Sequence, residues 1–440
     1  MPLFKRKKKF DWSLIYSVNR FIKFINYAAN DNITYLMGWF TLKWIFYIDT
    51  ILNTEQNPMN EALNIADQTL VLHRHPRIKN ETLQAWDSAD EYLINYFSEN
   101  ELQKQLNENE QILLVNDSFG ALTCYLQAFQ RTVVSDSYLS INSIKLNMQR
   151  NRCPEENLLL QDSLQQFPEN VKIVLIKIPK TLSYLEEMLQ KLHAVITPET
   201  IVVAAGKVNM IHNSTLDLFE KYIGTTKTSL AKKKSRLIFS LPIIKEVPEK
   251  EIAITWEIEK LDWKIHNHAN VFSRNHLDIG GRFLMDNLPK GDFSKVVDLG
   301  CGNGIIGMAA SAAYPKAQIT FIDESYMSID SARINMQKNL PEEQAENARF
   351  VVNNGLVGFK PRSYDLILCN PPFHQQQTIT DQIAWSMFND AHFCLVDNGE
   401  LVIVGNHHLN YQDKLERIFG NCEIVSQNKK FVILRAVKMD

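Results

Sequence analysis

The stretch VVSDSYLSINSIKLNMQRN, residues 133–151, recurs as FIDESYMSIDSARINMQKN at residues 321–339. The two copies align without a gap and share nine of 19 residues, which is improbable for unrelated segments. Each copy has the pattern of a strand end, a serine-rich turn and an amphipathic helix. The chain is therefore predicted to contain one structural unit twice.

The correspondence between the two halves extends to neighbouring segments. QILLVNDSFGALTCYL (111–126) aligns with KVVDLGCGNGIIGMAA (295–310), VKIVLIKIPK (171–180) with YDLILCNPPF (364–373), and TIVVAAGK (200–207) with ELVIVGNH (400–407). In both halves, short apolar strands alternate with helical patterns. This alternation predicts an α/β fold with two doubly wound, mostly parallel sheets, produced by duplication of one domain.

The domain boundaries follow from the limits of the repeat. We expect a first domain over 59–244, a linker with strands over 245–265 and a second domain over 266–440. The acidic, proline-containing KEVPEKE at 245–251 favours a linker there. Residues 1–58 have no counterpart in the repeat and are expected to be an extension, upstream of an internal start near Met59.

The bulk composition of the chain limits its location and its partners. The apolar run at 35–48 is shorter than the roughly 20 residues of a spanning helix, so we expect no stable membrane association, with a peripheral helix as an alternative. Six scattered cysteines without a C-x-x-C pair indicate a reducing, cytoplasmic location. Because the net charge is −3, a nucleic-acid partner would have to bind local clusters of cations.

Three consecutive strand ends in the second half carry polar side chains or glycines. Asp298 ends a strand that runs into a turn containing Gly300, Gly302 and Gly304, where glycine allows the backbone to approach a ligand closely. A carboxylate at this turn disfavours a pyrophosphate and favours a ligand with an ammonium or sulfonium group. 

The next two strand ends complete the predicted ligand. Asp323 lies at the spacing where nucleotide-binding folds place a carboxylate on ribose hydroxyls. Asn353 and Asn354 follow the third strand and carry amides that can read an adenine edge. An acid for a cationic tail, an acid for a ribose and an amide for a base together predict binding of S-adenosylmethionine.

The fourth strand of the second half ends in Asn370, Pro371, Pro372 and Phe373. Two prolines cannot continue a sheet or a helix, so this turn is predicted to be stiff. The lone pair of an exocyclic amine is delocalised into its ring, and two acceptors directed at its N–H bonds would free that lone pair. A rigid turn that carries acceptors suits this chemistry because little reorganisation is needed during transfer.

The motifs D-L-G-C-G-N-G, Asp323 and N-P-P-F resemble those of class I S-adenosylmethionine-dependent methyltransferases that modify a planar nitrogen. NPPFHQ (370–375), HANVFSR (268–274), HLDIGGRF (276–283) and the duplication are similar to the bacterial ribosomal RNA guanine-N2 methyltransferases. LQAWDSADEYL (83–93) and the tail at 419–438 are closest to the enzymes of 23S ribosomal RNA. The resemblance spans roughly 66–440; a 16S enzyme, a protein-glutamine methyltransferase and a noncatalytic RNA-binding protein stay open as alternatives.

The resemblance implies roles for the second-half residues. The side-chain oxygen of Asn370 and the carbonyl of Pro371 would hold the amine, with Pro372 fixing the turn and Phe373 stacking on the base. S-adenosylmethionine would be bound by the following residues: Asp298, Gly300, Gly302, Gly304, Asp323, Asn353, Asn354 and Asn370.

In the first half these motifs are altered. Lys177 replaces the acceptor amide, and lysine only donates hydrogen bonds, so this half is predicted to be a degenerate domain that positions RNA. Its candidate phosphate contacts, together with one histidine of the second half, are Lys177, Lys180, Lys232, Lys233, Lys234, Arg236 and His374. We expect no metal site, since His266, His268 and His276 have the spacing of ordinary loop residues.

Overall fold

Two seven-stranded sheets with the same strand order form the frame of the protein, one in each half. The structure is a computed structural model that describes residues 61–77, 81–372 and 377–439. The predicted extension at 1–58, including its apolar run, lies outside these ranges, as do Phe373 and His374.

The helices and strands of the first half share the α/β alternation predicted from the repeat. In chain order they are β1 (Ala62–Ile65), β2 (Gln68–Val71), α1 (Ser88–Glu99), β3 (Gln111–Val115), α2 (Ala121–Tyr125), β4 (Arg131–Ser135), α3 (Tyr138–Asn151), β5 (Leu158–Asp162), β6 (Val171–Lys177), α4 (Leu182–His193), β7 (Ile201–Lys207), α5 (Asn213–Tyr222), β8 (Gly224–Thr228) and β9 (Ser235–Pro242).

The second half repeats this succession with one additional helix. Its elements are β10 (Ile254–Ile258), β11 (Trp263–Asn267), α6 (Ile279–Met285), β12 (Lys295–Leu299), α7 (Ile305–Ala313), β13 (Gln318–Asp323), α8 (Tyr326–Asn339), α9 (Glu342–Asn347), β14 (Arg349–Val352), β15 (Tyr364–Cys369), α10 (Gln377–Cys394), β16 (Leu395–Asn406), α11 (Tyr411–Phe419), β17 (Glu423–Gln427) and β18 (Phe431–Val437).

Both sheets are parallel over five strands and antiparallel at one edge. The strand order is β5-β4-β3-β6-β7-β9-β8 in the first half and β14-β13-β12-β15-β16-β18-β17 in the second. The central strands are mostly apolar because helices cover both faces of the sheet, with Asp298 as a buried charged residue in β12. In the second sheet the order reverses between β12 and β15, and such a reversal opens a crevice at the carboxyl ends of the strands.

Repeated asparagines attach the hairpin of each half to a helix of that half. Asn335 on α8 donates its amide to the carbonyls of His266 and Asn303 and accepts from the His266 N–H at 2.7 Å. Asn147 on α3 makes the same bonds to the backbone of His73. Strand β11 crosses the predicted boundary at residue 265, and Asn335 joins it to α8 of the second half.

The repeated stretch also forms the contact between the two halves. Asp136 accepts hydrogen bonds from the Met327 N–H at 2.9 Å and from the Ser325 hydroxyl at 2.6 Å, both at the start of α8. Glu324, the equivalent acid, accepts from the hydroxyl of Ser137 at 2.5 Å, at the start of α3. The main-chain carbonyls of Glu324 and Asp136 accept from the first N–H of the opposite helix, at Tyr138 (2.9 Å) and Tyr326 (3.1 Å). Each copy therefore caps the helix of the other, and this contact holds the first half beside the strand ends of the second.

Candidate active site

A cavity of about 1050 Å³ lies at the carboxyl ends of the second-half strands and is lined by both halves. This volume is at the upper end of the range for a single small ligand, roughly 300–1,000 Å³. The predicted site residues that line it are Gly300, Gly302, Asp323, Asn353, Asn354, Asn370, Pro371 and Pro372. The first half adds Arg74, Arg77 and Phe119, among other residues.

The three glycines of the β12–α7 turn have different roles. Their φ angles are +74° at Gly300, +53° at Gly302 and +81° at Gly304, a region that disfavours other residues. At Gly302 a Cβ would meet no described atom within 4 Å, so the backbone here faces open space. At Gly304 a Cβ would lie 2.7 Å from the Cβ of Ala332, so this glycine permits helix packing and does not line the cavity.

Asp298 does not lie where the sequence predicted. Its carboxylate is inaccessible to solvent beneath the glycine turn, and one oxygen accepts from the Gly307 N–H at 2.8 Å. The other oxygen is buried and has no hydrogen-bond partner within the described part of the chain. Burial raises the pKa of Asp298 to about 7. The prediction of a direct contact with a cationic tail was wrong for this structure, because the turn itself separates Asp298 from the cavity.

Asp323 lies at the end of β13 and faces the cavity. Its two oxygens accept from the N–H groups of Gly302 at 2.9 Å and Ser325 at 3.0 Å. Burial raises the pKa of this carboxyl above its ordinary value, and the hydrogen bonds from the two backbone N–H groups oppose that rise only in part. The carboxylate is thus fixed against the glycine turn and directed at the same space as Gly302.

The two asparagines after β14 both line the cavity but are held differently. Asn353 donates its amide to the carbonyls of Gly355 at 2.9 Å and Val357 at 3.0 Å, so its donor end is used by its own loop. Among the described residues, the side-chain amide of Asn354 makes no hydrogen bond of this kind.

Asn370 lines the cavity and is held by Asp278. Its amide nitrogen donates to a carboxylate oxygen of Asp278 at 3.0 Å. Its Oδ1 is buried and, among the described residues, has no hydrogen-bond partner. Pro371 and Pro372 follow in the cavity wall. A buried polar atom without a partner is unusual in proteins, and this one belongs to a residue that lines the cavity.

Asp278 contacts Asn370 in the cavity wall and was not among the predicted site residues. It caps the N-terminus of α6 by accepting from the Gly281 N–H at 2.7 Å, and it lines the cavity. A signal was present in the repeat: Asp87 caps α1 at the equivalent position and lies 3.6 Å from Lys177, which replaces Asn370.

The corresponding pocket of the first half is filled by its own side chains. Lys177 is buried, with its ammonium 2.6 Å from Asp90. Burial lowers the pKa of this lysine, but the carboxylates of Asp90 and Asp87 raise it more, so it lies above its ordinary value. In the glycine turn, Asp117 accepts from the Gly120 N–H at 3.0 Å. The prediction that Lys177 contacts phosphate was wrong, because its charge is enclosed and paired.

The other candidate phosphate contacts of the first half are largely exposed. Lys180, Lys232, Lys233 and Lys234 lie at the surface, whereas Arg236 is half-buried. Lys233 pairs with Glu91 at 2.5 Å, and the ammonium of Lys232 lies 5.7 Å from the ring centre of Tyr92.

Two further sequence expectations concern metals and membranes. Within residues 61–77, 81–372 and 377–439, no group of three or more His, Cys, Asp or Glu side chains is arranged to hold a metal ion. His268 instead pairs with Asp330 at 2.9 Å. In the same ranges, no helix has the length and apolar character required to span a bilayer.

The chain is similar to curated proteins over most of its length. It is 49% identical over 378 residues to the ribosomal RNA large subunit methyltransferase G of Erwinia tasmaniensis, covering 86% of this chain and 99% of that protein. The chain belongs to the ribosomal RNA large subunit methyltransferase G family. The enzyme of that name from Pseudoalteromonas translucida is 48% identical over 384 residues, with 86% and 99% coverage. The predicted family and the prediction of a methyltransferase are confirmed.

Family models and a solved structure agree with this membership. The RLMG N-terminal domain matches residues 60–243, and the methyltransferase small domain matches residues 262–435. The T. thermophilus 16S rRNA N2 G1207 methyltransferase, solved with AdoMet and guanosine, superposes with a TM-score of 0.66 at 18% identity, covering 86% of this chain and 97% of that one. This likeness shows a shared fold, and the predicted duplication of an α/β domain is confirmed.

Proposed function

We propose that the chain transfers a methyl group from S-adenosylmethionine to the exocyclic N2 of one guanine in 23S ribosomal RNA. The observation that carries the proposal concerns Asn370, a residue of the cavity wall, whose Oδ1 is buried and has no partner among the described residues. The names of the relatives support the RNA substrate and the large subunit as its source. The guanine amine is supported by the resemblance of the N-P-P-F turn.

The residues at the cavity fit S-adenosylmethionine. Gly300 and Gly302 leave the backbone of the turn open, and Asp323 offers carboxylate oxygens to ribose hydroxyls beside that turn. Asn354 provides an amide at the third strand end. When bound, S-adenosylmethionine supplies an electrophilic methyl group.

The turn after β15 supplies the groups that act on the amine. The Oδ1 of Asn370 accepts one N–H of the amine, and the carbonyl of Pro371 accepts the other. These bonds oppose delocalisation of the nitrogen lone pair into the ring and strengthen as the amine becomes positively charged. Because the two prolines fix the turn, these acceptors are oriented before the substrate arrives. Phe373, which lies outside the described residues, is assigned by resemblance to stack on the base, a contact of roughly 1–3 kcal/mol.

The product distinguishes guanine from adenine as the target. The purified chain is incubated with unmodified large-subunit RNA and S-adenosylmethionine labelled in its methyl group, and the RNA is digested to nucleosides. We expect the label in N2-methylguanosine. Label in N6-methyladenosine would contradict the guanine assignment, and label in protein glutamine would contradict an RNA substrate altogether.

We further propose that the first half binds RNA phosphates through its exposed lysines. Lys232 and Lys234 are exposed on the turn before β9, in a chain with little net positive charge. Replacing both with alanine is expected to weaken RNA binding evenly across sequences. The slope of the logarithm of the RNA binding constant against the logarithm of the salt concentration should become shallower by about 1 per lost contact. The matched control replaces the exposed second-half residues Lys316 and Lys338. Unchanged affinity in the Lys232 and Lys234 variant would contradict this role.

A further inference from the structure

Asp278 uses one carboxylate oxygen for two purposes. This Oδ2 accepts from the Gly281 N–H at 2.7 Å, which caps α6, and from the amide nitrogen of Asn370 at 3.0 Å. The two residues are 92 positions apart in the chain. Helix capping alone requires only the first bond, so the second bond needs its own explanation.

The bond to Asp278 decides which end of the Asn370 amide faces the cavity. A carboxylate accepts hydrogen bonds and cannot donate them, so it pairs with the nitrogen end of an amide. Turning the amide over would place Oδ1 against the Asp278 carboxylate, where two acceptors repel. The carboxylate therefore occupies the nitrogen end of the amide and leaves Oδ1, which has no partner among the described residues, as the acceptor available to a substrate amine.

The two glycines that follow leave room for this pair. At Gly280 a Cβ would lie 3.1 Å from Asp278 Oδ2 and 3.6 Å from Asn370 Oδ1. At Gly281 a Cβ would lie 3.8 Å from the Asn370 amide nitrogen. A side chain at Gly280 would crowd the carboxylate, whereas the distances to the Asn370 amide are those of ordinary van der Waals contact.

The first half provides an internal comparison. There Asp87 keeps the capping position, Asp90 stands in place of Gly281, and Lys177 stands in place of Asn370. Asp90 contacts the lysine at 2.6 Å and fills the room that Gly281 leaves open. The capping acid is thus present in both halves, but only in the second half does it orient an amide beside open space.

We propose that Asp278 is a positioning residue that fixes the Asn370 side chain with its oxygen toward the substrate amine. The proposal rests on the proposed methyl transfer to guanine. It adds that the acceptor turn is held in place by a further residue, the N-cap of α6.

The test replaces Asp278 with serine, which retains a good helix cap but has a shorter side chain. We expect the turnover number on ribosomal RNA to fall by roughly 10-fold or more. The KM for RNA, the calorimetric affinity for S-adenosylmethionine and the melting temperature should stay near those of the wild type. Asp278→Asn, which keeps an acceptor at the same reach, should recover part of the turnover. Asp286→Ser, at the exposed C-terminal end of the same helix, is the matched control.

A double-mutant cycle separates positioning from a general structural role. If Asp278 acts through Asn370, Asp278→Ser should lower turnover little further in an Asn370→Ala background. Wild-type turnover in Asp278→Ser, or full additivity with Asn370→Ala, would overturn the proposal. Absence of guanine methylation by the wild type would instead refute the proposed function, so the two failures are distinguishable.

Discussion

Replacing Asn370 with alanine is expected to lower single-turnover methylation by roughly 100-fold or more. The alanine removes an acceptor whose bond to the amine strengthens as charge develops on the nitrogen. An interaction made mainly in the transition state affects the rate of transfer and leaves ground-state binding largely unchanged. The measurement is methyl transfer to large-subunit RNA with enzyme in excess, together with calorimetric affinity for S-adenosylmethionine.

Two additional variants make this result specific. Asn347→Ala removes an exposed asparagine at the end of α9 and should methylate at the wild-type rate. Asn370→Lys introduces the first-half residue and should be at least as inactive as the alanine variant, because an ammonium cannot accept a hydrogen bond. If Asn370→Ala transfers the methyl group at a single-turnover rate within a few-fold of the wild type, Asn370 is not the acceptor for the amine.

The second large effect concerns Asp323. Replacing it with alanine is expected to weaken S-adenosylmethionine binding by about 1.5–3 kcal/mol, which corresponds to roughly 10- to 150-fold in affinity. A charge-assisted bond to a ribose hydroxyl is lost. The Gly302 N–H also loses its carboxylate partner, so the turn beneath the cofactor is less constrained. Isothermal titration calorimetry measures this change directly.

The control for this variant is Asp292→Ala, which removes an exposed acid before β12. Its affinity for S-adenosylmethionine should equal that of the wild type. Unchanged affinity in Asp323→Ala would place the ribose contact on another group of the cavity wall, with Glu324 as the nearest acid in sequence.

Much of the fold could be predicted because the same succession of strand and helix patterns occurs in both halves, so each half supports the prediction for the other. One apolar strand followed by a glycine turn is a weak signal, but two aligned series of strands and helices restrict the topology to a duplicated α/β domain. The strand ends of Asp323 and Asn370 were predictable for the same reason. Carboxyl ends of parallel strands meet at one edge of a sheet, so residues far apart in sequence converge there.

Long-range pairing of polar groups could not be predicted in this way. Lys177 was interpreted as a surface cation because nothing near it in sequence shows that Asp90, 87 positions away, neutralises it. The role of Asp278 depends likewise on a side chain far along the chain. Asp298 was placed in the cavity because its strand ends there, but its side chain points beneath the turn to the Gly307 N–H. Direction and pairing of side chains depend on packing that the hydrophobic pattern does not specify.

The contact between the two halves could not be predicted from the repeat in the sequence. Asp136 and Glu324 are equivalent acids, and the sequence offers no sign that each caps the helix of the opposite copy. This exchange places first-half residues such as Phe119 in the wall of the second-half cavity. The duplication thus supplies both the catalytic fold and the surface that completes its site.

We infer that one half of this duplicated chain binds S-adenosylmethionine and that the other half is filled by its own side chains. Counting bound cofactor by calorimetry tests this most directly. We expect one S-adenosylmethionine per chain, bound at the site that Asp323→Ala weakens. Two equivalent sites per chain, or a single site unaffected by Asp323→Ala, would contradict it.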